Sequence, residues 1–116
     1  MVATRRTSIA RILCPIDLSE FSHQALAHSA AIAKWHEAQL TMLYVFVSLP
    51  TVDVPPVILE DEDRARLIAQ MREFACIVPR DVPVDCQVQE AGLVHDAIVK
   101  QVNASNADLL VLGTHG

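Results

Sequence analysis

Two short stretches carry residue types that could do chemistry, and each of them ends an apolar run. Asp17 closes the run over residues 9–17, and Gly113 and Gly116 follow the run over residues 108–112. An aspartate that leaves a strand can accept hydrogen bonds from a ribose, bind a metal ion, or act as a nucleophile or base. Glycines spaced G-x-x-G let backbone amides approach a phosphate, although a plain strand-to-loop turn accounts for the spacing equally well.

Several enzyme classes lose support because their motifs are missing from the sequence. Neither G-x-x-x-x-G-K-[ST] nor G-x-G-x-x-G occurs, and there is no G-x-S-x-G nucleophile motif. A phosphoryl-transfer site built on Asp17 would need a second acid or a lysine nearby, and "DLSEF" offers only Glu20, which belongs to the following helix. Weak hydrolysis of a nucleotide is therefore the least favoured of the functions considered.

The other titratable residues are interpreted as structural, with one exception. The acidic run over residues 60–63 precedes a predicted helix, where negative charge complements the helix dipole, so no metal site is assigned to it. His23 and His28 are separated by five positions on one helix and do not face each other. The exception is His115, which lies between the two glycines and could either contact a phosphate or face water.

Hydrophobic periodicity predicts the elements that must hold these residues. Strands are predicted at residues 9–17, 39–47, 83–90 and 108–112, and helices at about residues 20–36, 60–78 and 93–102. The first helix begins after an N-cap at Ser19. Its predicted buried stripe consists of Phe21, Ala25, Ser29, Ile32, Ala33 and His36.

The predicted order of elements, β-α-β-α-β-α-β, is typical of a doubly wound parallel sheet in a three-layer α/β/α fold. The third strand alternates apolar and polar residues and belongs at an edge, whereas the first and fourth are apolar and belong in the middle. The strand order 3-2-1-4 satisfies both conditions. Because ligands bind outside the carboxyl ends of such strands where the winding reverses, residues 15–17 and 113–116 should border one crevice.

Composition agrees with one small α/β domain. The chain has 116 residues, of which 52% are hydrophobic and only 4% aromatic, so its core consists mainly of aliphatic side chains. A formal charge of -5 argues against nucleic acid as a partner. Three cysteines without a C-x-x-C pair favour a reducing cytoplasm, and Cys14, Cys76 and Cys86 are interpreted as small core residues. No apolar run reaches the roughly 20 residues of a membrane span.

Three stretches match a known family in order and spacing. They are "RILCPIDLSEFSHQALAHSAAIAK", "LTMLYVF" and "AGLVHDAIVKQVNASNADLLVLGTHG". Together they resemble the universal stress protein family, whose pattern begins with a strand that ends in Asp, then a Ser, then a helix rich in Ala and Leu. The closing "DLLVLGTHG" is the most specific piece, because the nucleotide loop of the family begins there as G-x-x-G.

The resemblance implies a site for an adenine nucleotide, ATP or AMP, which can carry Mg²⁺. The implied nucleotide-binding positions are Pro15, Ile16, Asp17, Val45, Gly92, Gly113, Thr114, His115 and Gly116. The first three correspond to contacts with adenine and ribose, and Val45 lies beside the base. Gly92 opens the loop after the third strand, although Val94 stands where a proline is frequent. The last four form the first half of the phosphate loop, and no catalytic residue or metal ligand is implied.

The resemblance also implies a regulatory role in stress physiology for a cytoplasmic homodimer, rather than an enzyme. No nucleic acid or membrane is expected as a partner. The family pattern continues to a third glycine, a fifth strand and a last helix, so the single domain over residues 1–116 is expected to be cut short at its C-terminal end. The alternative is a dimeric interaction protein of the same fold that binds no nucleotide.

Overall fold

The structure is a computed structural model that describes residues 9–48 and 59–113, and strands and helices alternate through these ranges. The elements are β1 (Arg11–Ile16), α1 (Glu20–His36), β2 (Gln39–Val47), α2 (Asp61–Phe74), β3 (Val84–Ala91), α3 (Val94–Ser105) and β4 (Leu109–Leu110). A 3-10 turn, Ala75–Ile77, extends α2. No helix in the described ranges is long and apolar enough to cross a bilayer.

The four strands form one parallel sheet in the order β3-β2-β1-β4, which confirms the predicted doubly wound topology. Helices α1 and α2 cover one face, where Ile12, Cys14 and Met42 belong to the main core cluster. Since side chains alternate along a strand, Leu13 and Leu43 lie on the other face, which α3 covers, and both are fully buried. These helices on two faces make the three layers of an α/β/α domain.

Helix α1 begins where the sequence predicts but buries a different stripe. The Ser19 hydroxyl accepts a hydrogen bond from the backbone N–H of Ser22 at 3.3 Å, as an N-cap should. The side chains that α1 buries are Ser22, Ala25, Leu26, Ser29, Ala30 and Ala33. Phe21 and His36 are exposed instead, so their placement in the buried stripe was wrong. Small side chains on the inner face allow α1 to pack closely against β1 and β2.

The fourth strand is shorter than predicted. Only Leu109–Leu110 pairs with β1, opposite Ile12 and Leu13. Just before this pairing, the Asp108 N–H donates to the carbonyl of Arg11 at 2.8 Å, and the Asp108 carboxylate accepts from the amides of Ala10 and Arg11. One further hydrogen bond, from Val111 N–H to the carbonyl of Leu13 at 3.0 Å, continues the contact. Among the described residues β4 is an edge strand, and Leu110 on its α3 side is 38% exposed, which differs from the central, buried position expected for it.

The third strand lies at the opposite edge of the sheet, as its alternating pattern predicts. Val88 contributes to the core on the α2 side, whereas Gln89 lies on the α3 side and donates a hydrogen bond to Gln101 of α3. From α2, Arg64 reaches the strand and donates to the carbonyl oxygen of Val88 at 2.7 Å. Parallel sheets of this kind leave their carboxyl ends open to a ligand.

Candidate functional site

A cleft of ≈ 220 Å³ opens at the carboxyl edge of the sheet, where the winding reverses between β1 and β4. Its apolar walls come from β2, α3 and the end of β4, and consist mainly of Leu43, Val45, Val94, Ile98 and Leu112. Its polar corner is formed by Asp17, Ser19 and Ser22 at the junction of β1 and α1. A cleft with apolar walls and a few convergent polar groups is the usual form of a small-molecule site.

The turn between β1 and α1 holds Asp17 in a defined position. The backbone N–H of Ser19 donates to Asp17 Oδ1 at 2.9 Å, which closes an Asx turn. Between them, Leu18 has φ 65°, in the left-handed region, which costs a residue with a side chain about 1–2 kcal/mol. Leu18 also packs against the main core, which offsets this cost. The fold therefore accepts local strain where it presents Asp17 to the cleft.

Ser22, in the first turn of α1, is the second partner of Asp17. Its hydroxyl donates to Asp17 Oδ1 at 2.9 Å, and its oxygen lies 3.3 Å from the backbone nitrogen of Asp17. Sequence reasoning missed Ser22 as a site residue, because the predicted stripe passed through Phe21 and left its neighbour outside. The available signal was a small hydroxyl residue that is three positions after the N-cap Ser19 and directed toward the same turn.

Gly113 closes the cleft on the β4 side by close backbone packing. A Cβ atom at this position would lie 2.6 Å from the carbonyl oxygen of Phe21 and 2.8 Å from its carbon, which is closer than real Cβ atoms approach. The backbone after β4 therefore contacts the first turn of α1 directly, and only glycine fits there. The ring of Phe21, which is 44% exposed, stands at the rim of the same cleft.

The structure brings together five of the predicted site residues. Pro15, Ile16, Asp17, Val45 and Gly113 all line the cleft. Gly92 follows β3 and is half-buried, but it is not among the residues that line this cleft. The prediction for Thr114, His115 and Gly116 lies outside the described residues.

Val94 lines the cleft two positions after Gly92, in the first turn of α3. It is the residue that stands where the family frequently has a proline, and the sequence analysis did not count it as a site residue. Its side chain is 46% exposed and forms part of the apolar wall beside Ile98. The first turn of α3 therefore reaches the cleft through Val94.

The cysteines offer no activated nucleophile at this cleft. Burial raises the pKa of the Cys14 thiol, and a hydrogen bond with Ser29 only partly opposes that effect. Burial also raises the pKa of Cys86, against a smaller opposing effect from Arg72. Both thiols therefore remain protonated at neutral pH. Cys76 is exposed on the 3-10 turn, so its prediction as a core residue was wrong.

No cluster of potential metal ligands lies within residues 9–48 and 59–113. These ranges contain no group of three or more His, Cys, Asp or Glu side chains that could hold a metal ion. The acidic residues of the first turn of α2, Asp61, Glu62 and Asp63, lie at the N-terminal end of the helix. That position agrees with their interpretation as charges that complement the helix dipole.

Comparison with known proteins gives matches to one family and one fold. The model of the Universal stress protein family matches residues 8–116. A universal stress protein family structure from Burkholderia pseudomallei has a TM-score of 0.73 and 23% identity, over 96% of this chain and 86% of that one. A search of curated proteins found no match to the chain.

Two other solved structures were determined with a nucleotide. The universal stress protein from Archaeoglobus fulgidus in complex with dAMP has a TM-score of 0.66 and 16% identity, over 91% of this chain and 82% of that one. A universal stress protein in complex with cAMP also has a TM-score of 0.66, with 18% identity, over 90% of this chain and 71% of that one. At these identities the likeness shows the fold.

Proposed function

The chain belongs to the universal stress protein family, and from that premise we propose that it is a regulatory module that binds an adenine nucleotide, ATP or AMP. The observation that carries the proposal is the cleft at the winding reversal, with Asp17 on one side and Gly113 on the other. The complexes of two fold relatives with dAMP and cAMP support the choice of an adenine nucleotide.

The chemistry of the cleft walls suits the parts of a nucleotide. Adenine is flat and largely apolar on its faces, and it would lie against Val45, Ile98 and Leu112. The ribose hydroxyls are hydrogen-bond donors, and the carboxylate of Asp17 is the acceptor at the polar corner. The phosphates would then extend toward Gly113, where the backbone runs close to the first turn of α1.

A regulatory role is what membership of the family implies, and the way in which Asp17 is held suits the binding of a ligand. Its Oδ1 accepts hydrogen bonds from the Ser19 N–H and the Ser22 hydroxyl, an arrangement suited to an oriented acceptor for a ligand. We also propose that the protein acts in the cytoplasm as a homodimer, as the family resemblance implies. The apolar side chain of Leu110, exposed on the edge strand β4, is compatible with a protein contact there.

Calorimetric titration with ATP and AMP tests the proposal. We expect saturable binding that Asp17→Ala weakens about 10-fold to 100-fold, because the variant loses a hydrogen bond to a charged acceptor. The matched control is Asp61→Ala, which removes an exposed carboxylate in the first turn of α2, away from the cleft, and should leave the dissociation constant unchanged.

Two results would contradict the proposal in different ways. Unchanged binding by the Asp17→Ala variant would remove Asp17 from the ribose contact while leaving a nucleotide site in place. Absence of heat with either nucleotide, from a protein that sediments as a dimer, would favour the alternative of an interaction protein that binds no nucleotide.

A further inference from the structure

The side chain of Ser22 makes two contacts with Asp17, although helix formation requires neither of them. Its side chain is only 4% exposed, although it lies at the border of an open cleft. Its Oγ is 2.9 Å from Asp17 Oδ1 and 3.3 Å from Asp17 N, so one hydroxyl contacts both the carboxylate and the backbone of the same residue. The contact crosses from α1 back to the end of β1.

The Ser22 hydroxyl donates one hydrogen bond and accepts another in this contact. A serine hydroxyl has one proton and can also accept hydrogen bonds. The shorter contact, to Asp17 Oδ1 at 2.9 Å, takes the proton in preference to the carbonyl of Ser19 at 3.1 Å, because hydrogen bonds to an ionised carboxylate are stronger. The lone pairs of the same oxygen then receive the backbone N–H of Asp17.

These contacts restrict the carboxylate of Asp17. With Oδ1 held by the Ser22 hydroxyl and by the Ser19 N–H at 2.9 Å, the rotamer of Asp17 and the plane of its carboxylate are both defined, and so is the position of Oδ2. A side chain held before the ligand arrives loses less conformational entropy on binding. The hydroxyl of Ser22 thus prepares the acceptor rather than contacting the ligand.

A second buried serine of the same helix shows what a purely structural hydroxyl does. Ser29 is fully buried, and its Oγ donates to the carbonyl of Ala25 at 2.8 Å, four residues earlier. That is the ordinary bond of a serine within a helix. Ser22 differs because its hydroxyl leaves the helix and contacts a residue of the cleft.

We propose that Ser22 is a positioning residue for nucleotide binding, which acts by orienting the carboxylate of Asp17 toward the ribose hydroxyls. The proposal rests on the proposed function, since it assigns Ser22 a part in the same site. It predicts that Ser22 affects only the share of affinity that depends on the ribose hydroxyls.

The test compares ATP with 2′,3′-dideoxy-ATP, which lacks both ribose hydroxyls. We expect Ser22→Ala to weaken ATP binding about 3-fold to 10-fold and to leave binding of the dideoxy analogue unchanged. Ser29→Ala should leave both constants unchanged at the cleft. In the Asp17→Ala background, Ser22→Ala should cause no further loss, because the carboxylate that it orients is already gone.

Each other outcome has a definite meaning. Equal weakening of ATP and the dideoxy analogue would show a general structural role and overturn the proposal, as would unchanged binding of ATP by a folded Ser22→Ala variant. If that variant does not fold, Ser22→Cys, which is slightly larger and is a weaker hydrogen-bond donor, should show a loss confined to ATP. Failure of the unsubstituted protein to bind ATP or AMP would instead overturn the proposed function, and the proposal for Ser22 with it.

Discussion

Asp17 and Asp108 lie at opposite ends of the parallel sheet, and each accepts two hydrogen bonds on one carboxylate oxygen. At the amino end, Asp108 Oδ2 accepts from the backbone N–H groups of Ala10 and Arg11 at 2.8 and 2.9 Å. At the carboxyl end, Asp17 Oδ1 accepts from the Ser19 N–H and the Ser22 hydroxyl, both at 2.9 Å. These two pairs of donors differ in origin.

The origin of these donors separates a structural aspartate, Asp108, from a candidate site residue, Asp17. Both donors to Asp108 are backbone amides at the start of β1, so its carboxylate joins the α3–β4 connection to the neighbouring strand. These two hydrogen bonds lower the pKa of Asp108. The donors to Asp17 come from its own turn and from α1, and its carboxylate borders a cleft. A carboxylate that borders a cleft can contact a small molecule bound there.

The largest effect on stability is expected from a side chain added at Gly113, beside the carboxyl end of the sheet. Gly113→Ala places a Cβ 2.6 Å from the carbonyl oxygen of Phe21, a backbone atom that cannot move without shifting the start of α1. We expect a loss of about 1–3 kcal/mol in the free energy of unfolding, as for other overpacked sites. Urea denaturation measures it, and a midpoint equal to that of the unsubstituted protein would show that the contact is not tight in solution.

Asp108→Ala should affect stability without affecting ligand binding. The variant removes the acceptor of the Ala10 and Arg11 amides, so we expect a lower melting temperature, while the dissociation constant for the nucleotide stays unchanged. Asp17→Ala should behave in the converse way, with its main effect on binding. Thermal unfolding and calorimetry on both variants test this crossover, and a loss of binding in Asp108→Ala would break the comparison.

The contribution of Asp108 to stability should depend on pH, because its carboxylate must be ionised to make it. Because its folded pKa is below the ordinary value of 3.8, the carboxylate stabilises the fold above that value, and the contribution disappears as pH falls through the folded pKa. The difference in melting temperature between the unsubstituted protein and Asp108→Asn should therefore be full near pH 7 and should shrink toward zero on acidification below about pH 4. A difference that stayed constant with pH would mean that the charge is not responsible.

The smallest effect is expected at a contact in which a side chain donates, rather than accepts, a hydrogen bond. Arg64 donates to the carbonyl of Val88 at 2.7 Å and pairs with Glu90 at 3.4 Å on the edge strand β3. Arg64→Ala should cost about 0.5–1.5 kcal/mol of stability, mainly from the lost hydrogen bond. The matched control is Arg66→Ala on the same helix, because Arg66 forms an exposed ion pair with Asp63 at 3.1 Å. Equal losses from both variants would show that the contact with the strand adds nothing.

Much of the architecture could be predicted because the pattern of apolar and polar residues in each strand indicates how that strand is buried. The run "QLTMLYVFV" predicts Gln39–Val47 as a strand, and the structure confirms those bounds. The alternation around Cys86 predicts an edge position for β3, which the strand order confirms. Ser19 predicts the start of α1, since a hydroxyl that caps a helix acts within one turn of the chain.

Where contacts reach across the chain, the sequence was a poorer guide. The carboxylate of Asp108 binds amides of β1 that are 97 and 98 positions away, a contact that its place beside an apolar run does not reveal. Phe21 looks like a core residue by type, yet the small inner face of α1 packs on the sheet and leaves its ring 44% exposed.

The sequence by itself determined the class of fold and the strand order, and it placed Asp17 at the carboxyl end of β1, since these depend on local periodicity and on rules of chain connection. Only the tertiary structure decided that Ser22 holds Asp17, that Val94 and not Gly92 lines the cleft, and that Gly113 is needed for close packing. The physical reason is that these depend on distances between segments that the fold brings together, and no local pattern encodes such a distance.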